Sequence, residues 1–393
     1  MLGHFTVDSY VGVLPVLYPL LIGRFHLDLA TVGLVTLAYS GFASISQPLF
    51  GILADRHGTR FTGVALAWTA LSFASIGFAP NFAVLVAIAA ASGLGSGAFH
   101  PLGALTVRES LLDRDRGRNL AMSIYVTGGT AGVAVGPLIG VLLFGLLGVH
   151  GTALLVLPGV LAGGFLLLQM GRFAPRAAAP KSSSSAVGLS HATPLLPLVA
   201  VVAVMASRSW TTITLQAFTP TWYHQLGYQP WFYGPLATTL VLASCVGSVG
   251  CGSLADRFGR RAVIIATLVL SVPAVWLYVA FPGPQGFFTA ILIGLSAAST
   301  APLTLILAQE LMGARAGFAS GLVMGLGFVT GAIGVPVTGL VANHFGLQMA
   351  LGLQVAVVAL TIPIALLLPS EGSLRRLREE RVVPPAAALA AGR

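Results

Sequence analysis

The chain has 393 residues, 56% of them hydrophobic and only 8% charged, with a mean hydropathy of +0.91. A water-soluble domain carries about 25% charged residues, so the composition excludes a soluble globular enzyme and points to an integral membrane protein. The net charge of +9 raises the question of nucleic acid, which the placement of the charges answers below.

The apolar runs are about 20 residues long, the length a helix needs to cross a bilayer. They lack the two-residue alternation of a transmembrane barrel, and helices satisfy their own backbone groups in lipid. Twelve spans are predicted, at about 1–22, 30–54, 61–79, 82–108, 118–143, 149–170, 194–222, 231–255, 262–281, 286–309, 316–343 and 347–368. The first, with Asp8 in its apolar stretch and no basic leader, does not read as a cleavable signal. Between the sixth and seventh spans, residues 172–193 are rich in Ser, Ala and Pro and read as a flexible cytoplasmic linker. Residues 370–393 form a cytoplasmic tail whose stretch SLRRLREER reads as a solvated or headgroup-contacting helix end. Cys245 and Cys251, six apart on the eighth span, face different ways and read as small packing residues.

With both termini inside, the cytoplasmic side holds 18 of the 20 Lys and Arg residues, all but Arg24 and Arg208. This is the positive-inside pattern of a multi-pass inner-membrane protein. The basic charge reflects topology, and no nucleic-acid partner is expected.

The second half repeats the first. At an offset of 201, Pro19 meets Pro220, Gly33 meets Gly234, Asp55-Arg56 meets Asp256-Arg257, Arg60 meets Arg261, Pro101 meets Pro302 and Glu109 meets Glu310. After a slip of one or two residues, Pro137 and Gly140 meet Pro336 and Gly339. The chain is therefore expected to form an all-α fold of two pseudo-symmetric six-helix bundles, residues 1–171 and 194–369. Parallel repeats of this kind place a binding site at the midplane between them. In this register the first span starts later than the seventh: either its helix is shorter or the true start codon lies upstream.

The densest charge in the repeat is GILADRHGTR (Gly51–Arg60), echoed by GSLADRFGRR (Gly252–Arg261). Asp55 and Asp256 can cap a neighbouring helix N-terminus. Arg56, Arg60, Arg257 and Arg261 can pair with Glu109 and Glu310, which close the fourth and tenth spans. Such contacts would form a cytoplasmic gate. The doubled motif resembles the loop signature of the major facilitator superfamily, although Thr59 stands where that family often has a basic residue. The resemblance covers the whole chain and implies alternating access by rocking of the two bundles.

On the fifth span, GVAVGPLIG places Gly132, Gly136 and Gly140 on one face, with Pro137 to bend the helix. It is similar to the glycine motif of drug/proton antiporters in the superfamily, although the fourth span lacks the intramembrane Arg that many of these carry. GHFTVDSYVGVLPVLYPLL, SGAFHPLGA and AQELMGARAGFASGL resemble its fosmidomycin-resistance branch. The implied activity is proton-driven efflux of a small toxic or anionic compound. Uptake symport of an organic anion is the alternative, and a non-transporting receptor the remote one.

Ionisable groups inside spans are costly and mark function. Asp8 and His4, four apart on the first span, share a face. Asp8 is the expected proton carrier, modulated by His4, and His100 on the fourth span is the further proton-coupling residue. Headgroup water near the chain start is the bland alternative for Asp8 and His4, and a backbone-bonded kink for His100. Arg208 on the seventh span is expected either to pair with Asp8 or to anchor an anionic substrate. Thr212 and Gln216 follow it on one face, and Gln47 and Tyr39 on the second span complete the expected lining. No nucleotide, hydrolase or metal-protease motif is present, so no catalysis, cofactor or metal is expected. The expected partners are a small-molecule substrate, protons and the bilayer, with the protein acting as a monomer.

Overall fold

The computed structural model describes residues 1–110, 118–170, 194–297, 301–312 and 316–382. Every regular element among them is helical. The N-terminal half comprises α1 (Leu2–Phe25), α2 (Leu29–His57), α3 (Thr62–Ser75, continued by a 3-10 turn Ile76–Phe78), α4 (Phe82–Ser110), α5 (Arg118–Leu147) and α6 (Val156–Met170). The C-terminal half comprises α7 (Leu195–Gln225), α8 (Pro230–Phe258), α9 (Arg260–Ala280), α10 (Gly286–Ser296), α11 (Ala301–Met312) and α12 (Ala316–Ala365). A final helix, α13 (Glu371–Val382), follows.

Nine apolar segments among the described residues are long enough to cross a membrane. Two contain a chain reversal and hold two spans each. One turns through the 3-10 segment Gly148–Leu155, and the other, within α12, at Gly346 with φ 79°. The shorter Thr62–Phe78 brings the total to the expected twelve. A side chain at Gly346 or at Gly148, φ 55°, would be strained. The tenth span, Gly286–Met312, comprises α10 and α11, which are described on either side of residues 298–300.

The two halves pack by the same plan. In the first, α1 lies on α5, α2 on α4 and α3 on α6; in the second, α7 lies on α12, α8 on α10 and α9 on α12. Small residues set the closest approaches. A methyl placed on Gly136 of α5 would stand 2.6 Å from the Ser9 carbonyl oxygen and 2.7 Å from the Gly12 Cα of α1. That is a backbone-to-backbone seam of the kind membrane helices use, and Gly132 sits on the same seam against Phe5. Gly140 is looser, with Val16 3.3 Å from its methyl position.

Between the halves, α2 packs on α12, α5 on α8 and α1 on α7. The specific contacts lie toward the end opposite the chain termini. Gly33 meets Pro336, with 2.9 Å from its methyl position to the proline Cα, and Gly339 meets Leu29. The Leu29 N–H donates to Asn343 Oδ1 at 2.8 Å, and Tyr18 stands edge-on to Phe218 with ring centroids 6.1 Å apart. The molecule is therefore closed at this end. Arg24 is also here, donating to the carbonyls of Gly77 and Ala79 and tying α1 to the end of the third span.

Candidate functional site

The site is built where α1, α4 and α5 meet. His4 and Asp8, one turn apart on α1, stand 3.2 Å apart from Nε2 to Oδ2. His100 reaches in from α4 and places its Nε2 3.1 Å from Asp8 Oδ1. One carboxylate thus bridges two imidazoles, one from its own helix and one from another.

Each ring is fixed by its other nitrogen. His4 Nδ1 lies 2.8 Å from the Tyr125 carbonyl oxygen on α5, and His100 Nδ1 lies 2.7 Å from the Ser96 carbonyl oxygen. A carbonyl only accepts, so both Nδ1 atoms carry hydrogen and donate. The His4 ring also stacks on Tyr125, with centroids 4.2 Å apart. The His4 and Asp8 side chains are 9% and 14% exposed and that of His100 30%, so the fourth helix supplies the wettest member.

Gly129 on α5 closes the site from behind. A methyl there would stand 2.6 Å from His4 Nε2 and collide with Asp8 Oδ2. The three polar groups converge within 4.8 Å, so a cation, if bound, would sit here. At 3.1 and 3.2 Å the nitrogens and oxygens are at hydrogen-bond distance from one another, and the cluster closes on itself.

Helical spacing puts His4 and Asp8 on one face of the first span, and the packing of α4 against α1 adds His100 beside them. Arg208 lies elsewhere. The residue is 5% exposed, and its guanidinium donates to the carbonyl oxygens of Ser296, at 2.6 Å, and of Ala297, at the end of α10. No ion pair joins it to Asp8 in this conformation; the ion pairs of Asp8 are with the two histidines. The reason is rotational. Arg208 aligns with Val7, not Asp8, and one residue turns a helix face by about 100°. Val7 is fully buried within its own half, and Arg208 likewise points into its own.

The expected lining residues are divided. Gln216 of α7 borders a cavity of about 20 Å³ between the halves, with Gly12 and Pro15 of α1, Val133 and Pro137 of α5 and Val241 of α8. Thr212 and Gln47 are half-buried and do not border it. Tyr39 is 1% exposed and packs edge-on against Phe73 in the core, so no surface of it meets a substrate in this state. Trp210 is held by its indole N–H, which donates to Thr338 Oγ1 at 3.1 Å.

At the end that carries the termini, Glu310 pairs not with Arg257 or Arg261 but with Arg260, at 2.9 Å. Glu371 of α13 takes the same guanidinium at 2.9 Å and the Arg260 backbone N–H at 3.1 Å. Glu371 first, and then Glu310, hold the Arg260 guanidinium well above its ordinary range. Arg261 donates to the Leu366 carbonyl at 2.6 Å. Asp256 and Arg257 are exposed, Arg257 resting on the Phe258 ring and Arg60 on that of Phe61. Asp55, Arg56 and Glu109 lie outside the described side chains. The contacts seen here brace one half internally and do not cross between halves.

Sequence reasoning missed Gly129, Arg260 and Glu371. Arg260 falls at the repeat position of Thr59, so comparison of the halves passed over it.

The chain matches the family described as Major Facilitator Superfamily over residues 1–250 and 220–390. It belongs to the major facilitator superfamily. It is 30% identical over 385 residues to an uncharacterized MFS-type transporter, YfnC, of Bacillus subtilis (strain 168), covering 95% of this chain and 92% of that one. It is 26% identical over 357 residues to the fosmidomycin resistance protein of Escherichia coli (strain K12), covering 88% and 86%. Among solved structures it is similar to a bacterial homolog of the human lysosomal transporter Spinster, in an inward-facing and occupied conformation. The TM-score is 0.79 at 16% identity, covering 93% and 94% of the two chains. The nucleoside transporter NupG gives a TM-score of 0.70 at 13% identity, covering 93% and 96%. At these identities the structures speak for the fold. The superfamily makes this chain a multi-pass membrane transporter of small molecules and not an enzyme.

Proposed function

We propose that this protein is a proton-coupled antiporter that exports a small toxic or anionic compound by alternating access. In this reading it lies in the inner membrane as a monomer with both termini in the cytoplasm. The observation that carries the proposal is the His4–Asp8–His100 cluster. It is an ionisable group set within membrane-spanning helices, the expensive kind of feature that function retains. Asp8 would carry the exchanged charge, and the two histidines would share its proton.

Three further features support the reading. The glycine seam that joins α5 to α1 backs directly onto the cluster through Gly129. The relative named for fosmidomycin resistance lends export and a phosphonate as the first compound to try. With the termini cytoplasmic, the closed end is the one facing away from the cytoplasm, and charge placement favours that orientation.

Expression in a drug-sensitive bacterium tests the proposal, with a panel of fosmidomycin, other phosphonates, other anions and lipophilic cations. Export predicts resistance to at least one compound in the wild type and its loss in Asp8→Asn. Sensitisation to an anion would mean uptake. Resistance unchanged in Asp8→Asn would remove the proton site.

A further inference from the structure

We propose that the proton that moves in each cycle occupies the His100–Asp8 bridge, and that this bridge is a latch between α1 and α4. The inference rests on the proton-coupled reading above and assigns the moving proton within that site.

The donor inventory leads to it. Both Nδ1 atoms are committed to main-chain carbonyls, so a neutral ring of either histidine presents a bare Nε2 lone pair to Asp8. Each Nε2–Oδ contact therefore needs a proton of its own, on the ring or on the carboxyl. Without it, a lone pair faces a carboxylate oxygen at 3.1 or 3.2 Å and the contact repels.

The two bridges differ in what they join. His4 and Asp8 are one turn apart on a single helix, so their distance is held whatever the neighbouring helices do. His4 is further clamped by Tyr125 and backed by Gly129. The His100 bridge crosses from α4 to α1, and His100 is about three times as exposed as His4. It also precedes Pro101, which has no N–H for the carbonyl one turn back and so loosens α4 at this level. Loss of the proton here separates two helices, whereas loss at His4 does not.

Among the described side chains, no other charged one faces the bridge from the packed elements. From α5 comes the phenol of Tyr125, stacked on His4, and from α2 that of Tyr39; a phenol is uncharged below about pH 10. At the start of α1, the Met1 backbone, which carries the N-terminal amino group, lies against Gly128.

The other half shows the counterpart. Ala297, whose carbonyl takes Arg208, is the repeat partner of Ser96, whose carbonyl takes His100. In both halves the fourth helix is thus held at the same level: by Arg208 from α7 in one, and by Asp8 of α1 through His100 in the other. A guanidinium keeps its proton throughout the physiological range, and an imidazole does not. The C-terminal tie is permanent and the N-terminal tie is titratable, so a pH change acts on the N-terminal half.

The test needs no substrate. Nitroxides are placed at Leu2→Cys on α1 and Ala104→Cys on α4, in full-length protein with Cys245→Ala and Cys251→Ala, reconstituted in lipid nanodiscs. Their dipolar broadening is then followed from about pH 5 to pH 8, the range over which histidine changes charge. In the wild type the broadened fraction falls by about half or more as the pH rises. His100→Gln removes that pH response, and His100→Arg holds the labels close at every pH. His4→Gln keeps the response. A wild type whose spectrum ignores pH, or a response lost in His4→Gln and kept in His100→Gln, would overturn the latch. Transport fails separately: if Asp8→Asn abolishes resistance while His100→Gln retains both resistance and the wild-type pH response, proton coupling stands and the latch falls.

Discussion

Replacing Gly339 by alanine should push the protein out of the state described here. Gly339 lies where the eleventh span crosses the start of α2. A methyl on it would stand 2.6 Å from the Leu29 carbonyl carbon and 2.7 Å from the Ala30 nitrogen. Ordinary van der Waals contact begins at 3.4 Å, so the two backbones must part by about 0.8 Å or more. No flexible side chain is available to yield, because both obstacles are main chain. Overpacking of this kind costs about 1–3 kcal/mol, and here the cost falls only on the state in which this end is closed. The ratio of closed to open molecules should then drop by about 5- to 150-fold. The contact between Leu29 N–H and Asn343 Oδ1 beside it should break in the same step. Double electron–electron resonance between labels at Phe78→Cys and Phe281→Cys, both exposed at that end, reads the opening. Longer distances should gain weight in Gly339→Ala and not in Gly145→Ala, where a methyl meets nothing within 4 Å. Identical distance distributions in wild type and Gly339→Ala would refute the claim that this seam sets the closure.

Three other outcomes follow from the same geometry. Gly129→Ala places a methyl against His4 Nε2 and Asp8 Oδ2, so pH-gradient-driven transport should be lost while the protein still folds, as checked by size exclusion in detergent. Arg208→Met leaves the Ser296 and Ala297 carbonyls without their charged donor; at about 1.5–3 kcal/mol for such a bond, the melting temperature should fall, and unchanged melting would show the tie to be idle. Asp28, the N-cap of α2, accepts from the Thr31 N–H at 2.6 Å, which holds its carboxyl below the usual range. Its contribution is therefore present above the ordinary carboxylate value and lost as pH falls through the lowered one. Asp28→Ala should cost about 1 kcal/mol near neutral pH, whereas Asp28→Asn should cost little there and lose the acid limb, as read by melting curves from neutral to acid pH.

Much of the architecture is legible in the residues because a membrane leaves a chain few choices. Runs of about 20 apolar residues must be spans, and the register of 201 announces two like halves. The reading loses detail at the turns: the reversal between the eleventh and twelfth spans takes place at the single residue Gly346, with φ 79°. At the site, His4 and Asp8 declare themselves by helical spacing. His100 is 92 positions away from Asp8, and only packing shows which of its nitrogens meets the carboxylate. Arg208 shows the limit of a register argument. A one-residue offset looks like near-coincidence on paper and is more than a quarter turn on a helix, enough to send the guanidinium to α10. Gly129 was hidden among 48 glycines, since its role depends on the absence of an atom. Glu371, set in a tail that reads as solvated, reaches Arg260 only through the fold of α13 onto the bundle.

The central claim is that Asp8 and its two histidines exchange the proton that drives transport. The most direct measurement is pH-sensitive dye quenching in everted membrane vesicles energised by respiration, with fosmidomycin added first and the rest of the panel after it. The account predicts dequenching on addition of a transported compound by the wild type, as protons leave the vesicles, and none by Asp8→Asn present at the same level in the membrane. Equal dequenching by the two proteins would contradict it.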